Sequence, residues 1–199
     1  MKKIIAFIMA LVFVLSFVGC DKEPTDNSSA LAQNTPTITD YKHSLSYAGW
    51  TSESSIFTSC LNYDKMSLNG EIHCPIFKLD TKKQFDDFKT KYNDVLSMES
   101  RFDDVPSFMD ATANCDEDFF KDKTLFVVYV TANSGSYRYE VESIYCDCNS
   151  FDVHIKQANN PQAVTMDMAG WLVTVVVQDD DIKNCIYFDA DLHNPYGFP

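Results

Sequence analysis

The chain has 199 residues, with 16 Lys and Arg against 29 Asp and Glu, a formal net charge of −13. So acidic a chain lacks the Lys and Arg density that phosphate binding requires, which excludes nucleic acid as a partner. Hydrophobic residues at 45% supply a core, and six Gly with seven Pro are too few for a low-complexity protein, so the length holds one ordinary domain with a short arm.

Lys2 and Lys3 precede an unbroken apolar run, Ile4 to Leu15, followed by Ser16-Phe17-Val18-Gly19-Cys20. A basic start, an apolar stretch and a small residue before a cut form a secretory signal. Ile4 to Val18 is shorter than the roughly 20 residues a spanning helix requires. Phe17-Val18-Gly19-Cys20 resembles a bacterial lipobox, with Phe17 where Leu is usual. The resemblance implies cleavage before Cys20 and lipidation of its thiol, with further acylation by palmitate or a similar chain. Residues 1–19 therefore read as a lipoprotein signal peptide. Two or three acyl chains hold a protein on a membrane where one is marginal. Loss of Lys2 and Lys3, with no acid in residues 1–19, takes the charge from −13 to −15.

Residues 20–40 comprise the lipidated Cys and a segment rich in Asp, Asn, Ser, Thr and Pro without apolar periodicity, which reads as a flexible tether. As a coil it spans on the order of 25 Å. Residues 41–199 form a single globular domain.

Within it, Ser55 to Leu61 and Ile72 to Leu79 are rich in β-branched and aromatic residues and predict two strands joined at Asn69-Gly70, a favoured hairpin turn. Pro75 predicts an edge position for the second, because proline cannot donate to a ladder. Thr81-x-x-Gln84 has capping-box spacing, and Phe85, Phe88, Tyr92, Val95 and Leu96 then share one face, which predicts the main amphipathic helix. Glu99 to Asp122 is irregular and carries eight acids against Arg101 and Lys121, with Asp116 placed to cap a short turn at Phe119-Phe120. Leu125 to Val130 and Trp171 to Val177 are continuous apolar runs and predict central strands covered on both faces. The stretches 137–142 and 151–156 alternate apolar and polar residues, as strands with one wet face do, and Ile186 to Phe188 closes the sheet. Asn133-Ser134-Gly135-Ser136 predicts a hairpin between the strands at 125–130 and 137–142. The fold class is α+β: an antiparallel sheet, curled or a small sandwich, with one main helix.

Apart from Cys20 there are six cysteines, Cys60, Cys74, Cys115, Cys146, Cys148 and Cys185. An even number in an extracytoplasmic protein points to disulfides, and six allow 15 pairings. Cys60 and Cys74, on the two arms of the first predicted hairpin, can face each other. In an extended strand the sulfurs of Cys146 and Cys148 share one face, which favours separate partners or a shared metal with His154 and His73. CxxC spacing, the mark of most thiolate metal sites, is absent, so no metal and no cofactor is assigned.

The sequence has no GxSxG, HExxH, P-loop or dinucleotide fingerprint, and no catalytic residue is assigned. The segment Ser134-Gly135-Ser136 reads as a turn and Asp179-Asp180-Asp181 as a solvated turn lacking the EF-hand pattern. Met166, Met168 and Trp171 are the most unusual local set. They read as a recognition patch, because Met and Trp suit adaptable contacts.

Residues 116–188 resemble a group of uncharacterised lipoproteins from low-GC Gram-positive bacteria. The resemblance rests on Asp118-Phe119-Phe120 before the strand at 125–130, on Asn133-Ser134-Gly135-Ser136, and on Asp167-Met168-Ala169 before Trp171. More distantly the layout is similar to the C-terminal domain of PrcB-type protease-complex accessory subunits. That family carries a Thr-Gly-Gly-Tyr-like turn, where Ser134-Gly135-Ser136-Tyr137 keeps one Gly and the Tyr. The resemblance implies a binding or stabilising role beside a secreted protein. The expected function is a non-catalytic binding or accessory module. It sits on the outer face of the cell membrane through the lipid on Cys20 and meets a protein partner at the cell surface. The alternatives are a secreted hydrolase with a dispersed site and a thiol- or metal-dependent sensor using Cys146 and Cys148.

Overall fold

A computed structural model describes residues 37–66 and 72–193. The predicted signal peptide, Cys20, most of the tether and the Asn69-Gly70 turn lie outside the described residues. The fold is α+β. Among the described residues seven strands form two sheets, one four-stranded in the order β1-β6-β3-β2 and one three-stranded in the order β4-β5-β7. The strands are β1 (Lys42–Tyr47), β2 (Ile76–Leu79), β3 (Lys123–Ala132), β4 (Tyr139–Cys146), β5 (Ser150–Gln157), β6 (Ala169–Gln178) and β7 (Tyr187–His193). The helices are α1 (Ser54–Ser59), α2 (Lys82–Tyr92), α3 (Phe108–Ala111) and α4 (Asp179–Ile182).

β3 and β6 pair antiparallel over their whole length, from Lys123 opposite Gln178 to Ala132 opposite Ala169. Both are buried on both faces because the four-stranded sheet is a middle layer. One face sends Phe126, Val128, Val130, Trp171, Val173 and Val175 into the core shared with the second sheet. There Phe126 stacks on Phe151 of β5 at 4.4 Å. The opposite face sends Leu125, Val127, Tyr129 and Leu172 into a second core closed by the helices. α2 begins as the sequence predicts: Gln84 N donates to Thr81 Oγ1 at 3.2 Å, and Gln84 Oε1 accepts from Asp80 N at 2.8 Å. Phe85, Phe88 and Tyr92 are its buried face. Asp116 Oδ1 accepts from Phe119 N at 2.9 Å, the cap expected of it.

Several sequence expectations are overturned. Ser55 to Leu61 is helical over Ser54–Ser59, not a strand. Ile56 and Cys60 are its buried positions, four residues apart, which is helical spacing. Its hydroxyls return to the helix backbone, Thr58 Oγ1 donating to Ser54 O and Ser59 Oγ to Ser55 O. Ile72 to Leu79 does not form one strand. His73 bridges to Asp191 and Cys74 N donates to Ala190 O at 2.7 Å, both on β7, whereas Ile76–Leu79 pairs with β3. The segment thus changes sheet at Pro75, which has no amide to commit to either ladder. β2 is an edge strand, as Pro75 suggested.

The second sheet is not wholly antiparallel, since β5 and β7 run parallel. The turn 133–136 is not a hairpin: β3 and β4 belong to different sheets, because both edges of β3 are already taken by β2 and β6. The chain is already packed on the domain at Ile38, before the expected start at Tyr41. Ile38 N donates to Ile144 O at 3.0 Å and its side chain packs on the core between the sheets.

Candidate functional site

The crossover from β3 to β4 and the loop leading into β6 meet at one end of the sandwich. They carry two of the strings singled out in the sequence, Asn133-Ser134-Gly135-Ser136 and Asp167-Met168-Ala169. Ser134 Oγ lies 3.0 Å from Thr165 Oγ1 and accepts from Ser136 N at 3.1 Å. Ser136 Oγ lies 3.3 Å from Thr165 Oγ1 and accepts from Thr165 N at the same distance. Asp167 Oδ1 accepts from Gly135 N at 3.4 Å. The hydrogen bond to Thr165, and then the Gly135 amide, hold the Asp167 carboxyl below its ordinary range. A side chain at Gly135 would crowd this junction, since a Cβ there would meet Asp167 Oδ2 at 2.9 Å and Phe102 Cζ at 3.1 Å.

Beneath the junction lies a group of rings. Trp171 packs edge-on against Tyr47 at 5.5 Å and Phe102 at 5.6 Å. Arg138 closes the group, its guanidinium 4.8 Å from the Trp171 ring centre and 5.4 Å from that of Phe102. Arg138 Nη1 donates to Gly135 O at 2.8 Å and Tyr137 O at 3.1 Å, and Nη2 reaches Asp103 Oδ2 at 3.4 Å. Asn159 ties in the second loop, accepting from Arg138 N at 2.8 Å and donating to Ser136 O at 2.9 Å.

The predicted patch is therefore divided. Trp171 is fully buried and forms no part of an exposed surface, because it belongs to the core face of β6. Met166 and Met168 are exposed, Met166 completely, and Val164 stands beside them at 48% exposure. Residues 162–168 are all exposed; among them Thr165 and Asp167 bond to the crossover, and the apolar Val164, Met166 and Met168 alternate with them. The period-two pattern Val-Thr-Met-Asp-Met is the sequence signal that could have added Val164 and removed Trp171.

The cysteines scatter. The Cys60 side chain faces the helix-side core and that of Cys74 the core between the sheets, so they do not pair across a hairpin. Burial, then the nearby carboxylates Asp191 and Asp189, pushes the Cys74 thiol up to about 12. Cys115 is pushed up to about 11, again chiefly by burial. Protonated buried thiols are poor nucleophiles and poor metal ligands. Cys115 lines a groove of about 510 Å³ between the 111–119 segment and β1, together with Asp40, His43, Thr174 and Gln178. Cys146, Cys148 and Cys185 gather near the β4–β5 turn, with Cys148 exposed. Among the described residues no group of three or more His, Cys, Asp or Glu is placed to hold a metal ion.

The outer face of the second sheet holds features the sequence reading missed. Asp189 Oδ1 accepts from Asn62 Nδ2 at 2.9 Å and lies 3.2 Å from His73 Nδ1, while Oδ2 accepts from Lys65 Nζ at 3.1 Å. His154 Nδ1 lies 3.0 Å from Asp191 Oδ1, and His193 Nδ1 3.0 Å from Glu142 Oε2. These pairs arise because β7 alternates, with Phe188, Ala190 and Leu192 inward and Asp189, Asp191 and His193 outward. Its parallel register then sets Asp191 beside His154. Each of these three histidines is engaged with a carboxylate, an arrangement that ties elements together.

No family model, no curated protein and no solved structure matches this chain.

Proposed function

We propose that this chain is a lipid-anchored, extracytoplasmic, non-catalytic binding module that holds a secreted or surface protein. The observation that carries this reading is the ridge Val164, Met166 and Met168. Its three apolar side chains are exposed on a loop whose intervening Thr165 and Asp167 are hydrogen-bonded to the neighbouring crossover. Exposed methionines on a fixed backbone suit recognition, because the flexible thioether adapts to a partner while the support loses little entropy. The lipobox-like string ending at Cys20 supports attachment by lipid, and the charge of −13 favours a partner with a basic contact surface. The resemblance to lipoproteins and to protease-complex accessory subunits supports the same role.

The test is co-purification of the full chain from membranes of its own cells, alongside Met166→Asp/Met168→Asp and Cys20→Ala variants. A partner retained by the native chain and lost by the double Asp variant, with circular dichroism unchanged, is the expected result. Equal retention by both sinks the recognition ridge. Membrane association of Cys20→Ala equal to that of the native chain sinks the lipid anchor.

A further inference from the structure

Cys146 ends β4 and Cys185 lies between α4 and β7. Their sulfurs are 3.0 Å apart. The Cys60 Sγ to Met66 Sδ contact, an ordinary thiol-to-sulfur approach in the same protein, is 3.6 Å. A bonded pair sits at about 2.05 Å, so closure requires a movement of about 1 Å. The backbone on both sides is already fixed. Cys146 sits in register with Phe151, Cys185 N donates to Ile182 O at 2.9 Å, and Ile186 N and Tyr187 N both donate to Asn149 O, at 2.8 and 3.0 Å. The β4–β5 turn and the chain entering β7 are thus clamped by main-chain bonds, with the two thiols between them.

We infer that Cys146 and Cys185 form a disulfide by exchange with an external disulfide, with Cys148 outside the bond at the surface. Accessibility gives the order of events. Of these two thiols Cys146 is partly exposed and Cys185 is buried, so the external disulfide meets Cys146 before Cys185. The Cys146 thiolate attacks one external sulfur, forming a mixed disulfide and releasing one external thiolate. Cys185 then gives its proton to solvent and its sulfur attacks Cys146 Sγ, releasing the second external thiolate. One external disulfide is reduced to two thiols and one protein disulfide is made, so electrons balance. Burial, and then the adjoining Cys146 sulfur, pushes the Cys185 thiol up, so Cys185 stays protonated while Cys146 meets the external disulfide, and the sulfur contact, not acidity, brings it to Cys146 in the second step. Cys148 occupies the turn, where Asp147 N donates to Ser150 O at 3.0 Å and Ser150 N to Asp147 Oδ1 at 3.2 Å. This inference stands on local geometry and does not depend on the partner-binding role.

The experiment uses the full chain, incubated with glutathione disulfide or with a reductant, then alkylated and mapped by peptide mass spectrometry. The oxidised chain should yield one linked pair joining the Cys146 and Cys185 peptides, two hydrogens lighter than the reduced pair, with Cys148 outside the link, alkylated or carrying glutathione. Cys148→Ser, a change at an exposed turn, should keep the link. Cys185→Ser should lose it and retain glutathione on Cys146. Separate alkylation of Cys146 and Cys185 after oxidation overturns the inference, as does a link that uses Cys148.

Discussion

Arg138 lies over Trp171, its guanidinium carbon 4.8 Å from the ring centre, and this contact joins the β3–β4 crossover to the start of β6. The same guanidinium satisfies the carbonyls of Gly135 and Tyr137. Arg138→Ala removes the ring contact and leaves both carbonyls to find water, at a cost of about 2–3 kcal/mol. Arg138→Lys should recover less than half of that, because an ammonium cannot spread over a ring and reach two carbonyls together. Urea unfolding should show a lower midpoint with an unchanged slope. An Arg138→Ala midpoint equal to the native one would show that the contact contributes nothing.

How far the sequence carries depends on whether a segment's partners are local. α2 was legible because its cap, Thr81, and its stripe, Phe85, Phe88 and Tyr92, lie within a few turns of each other. β3 and β6 were legible because burial on both faces leaves an unbroken apolar run. The failures share a cause. Ile72 to Leu79 looks continuous, yet its two halves answer to β7 and β3, which lie more than forty residues further on. The parallel pairing of β5 with β7 is likewise fixed by packing of Phe188 and Ala190, and no local pattern encodes strand direction. At the site, the two strings were visible separately. Their meeting through Thr165, and the withdrawal of Trp171 beneath Arg138, depended on the crossover between sheets.

Gly170 and Gly135 should differ sharply in tolerance. A Cβ at Gly170 would lie 2.1 Å from the Gly49 carbonyl oxygen and 2.5 Å from the Tyr129 hydroxyl. Gly49 cannot yield easily, because its own φ of 68° and the bond from Ala48 N to Gly170 O fix that stretch. Gly170→Ala should cost about 3 kcal/mol or more, the upper end of overpacking penalties. Gly135→Ala meets only the end of Asp167 and the edge of Phe102, so about 1 kcal/mol is expected. Thermal unfolding of the two variants ranks them, and a Gly170→Ala variant as stable as Gly135→Ala contradicts the close approach.

The outer face of the second sheet makes stability depend on pH in two opposed ways. The hydrogen bond to Asp191 holds His154 above its ordinary value, against the effect of burial. A raised histidine stabilises fully below its unfolded pKa of about 6.5, and that contribution disappears as pH rises through the folded value. The Tm difference between the native chain and His154→Gln should therefore shrink from pH 6 to pH 8.5. Burial raises Asp152, and its charged form is a penalty present at neutral pH and absent below its unfolded pKa near 4. Asp152→Asn should raise Tm at pH 7 and have little effect at pH 3. A gain as large at pH 3 as at pH 7 would falsify the assignment.

Ser46 gives the last prediction. It lies on β1 opposite Leu172, is fully buried, and its Oγ has no hydrogen-bond partner among the described residues. Its neighbour two positions away, Ser44, has solved the same problem by lying 2.6 Å from Thr174 Oγ1. A buried hydroxyl without a partner costs about 1–3 kcal/mol of desolvation, and its removal leaves a void of only one oxygen. Ser46→Ala should therefore stabilise the fold by about 1 kcal/mol, while Ser44→Ala should destabilise it by about 0.5–1 kcal/mol, because Thr174 Oγ1 then keeps only its long bond to Ser44 O at 3.4 Å. Chemical denaturation of both variants measures the contrast. Loss of stability in Ser46→Ala comparable to that in Ser44→Ala would mean that the Ser46 hydroxyl is satisfied in solution.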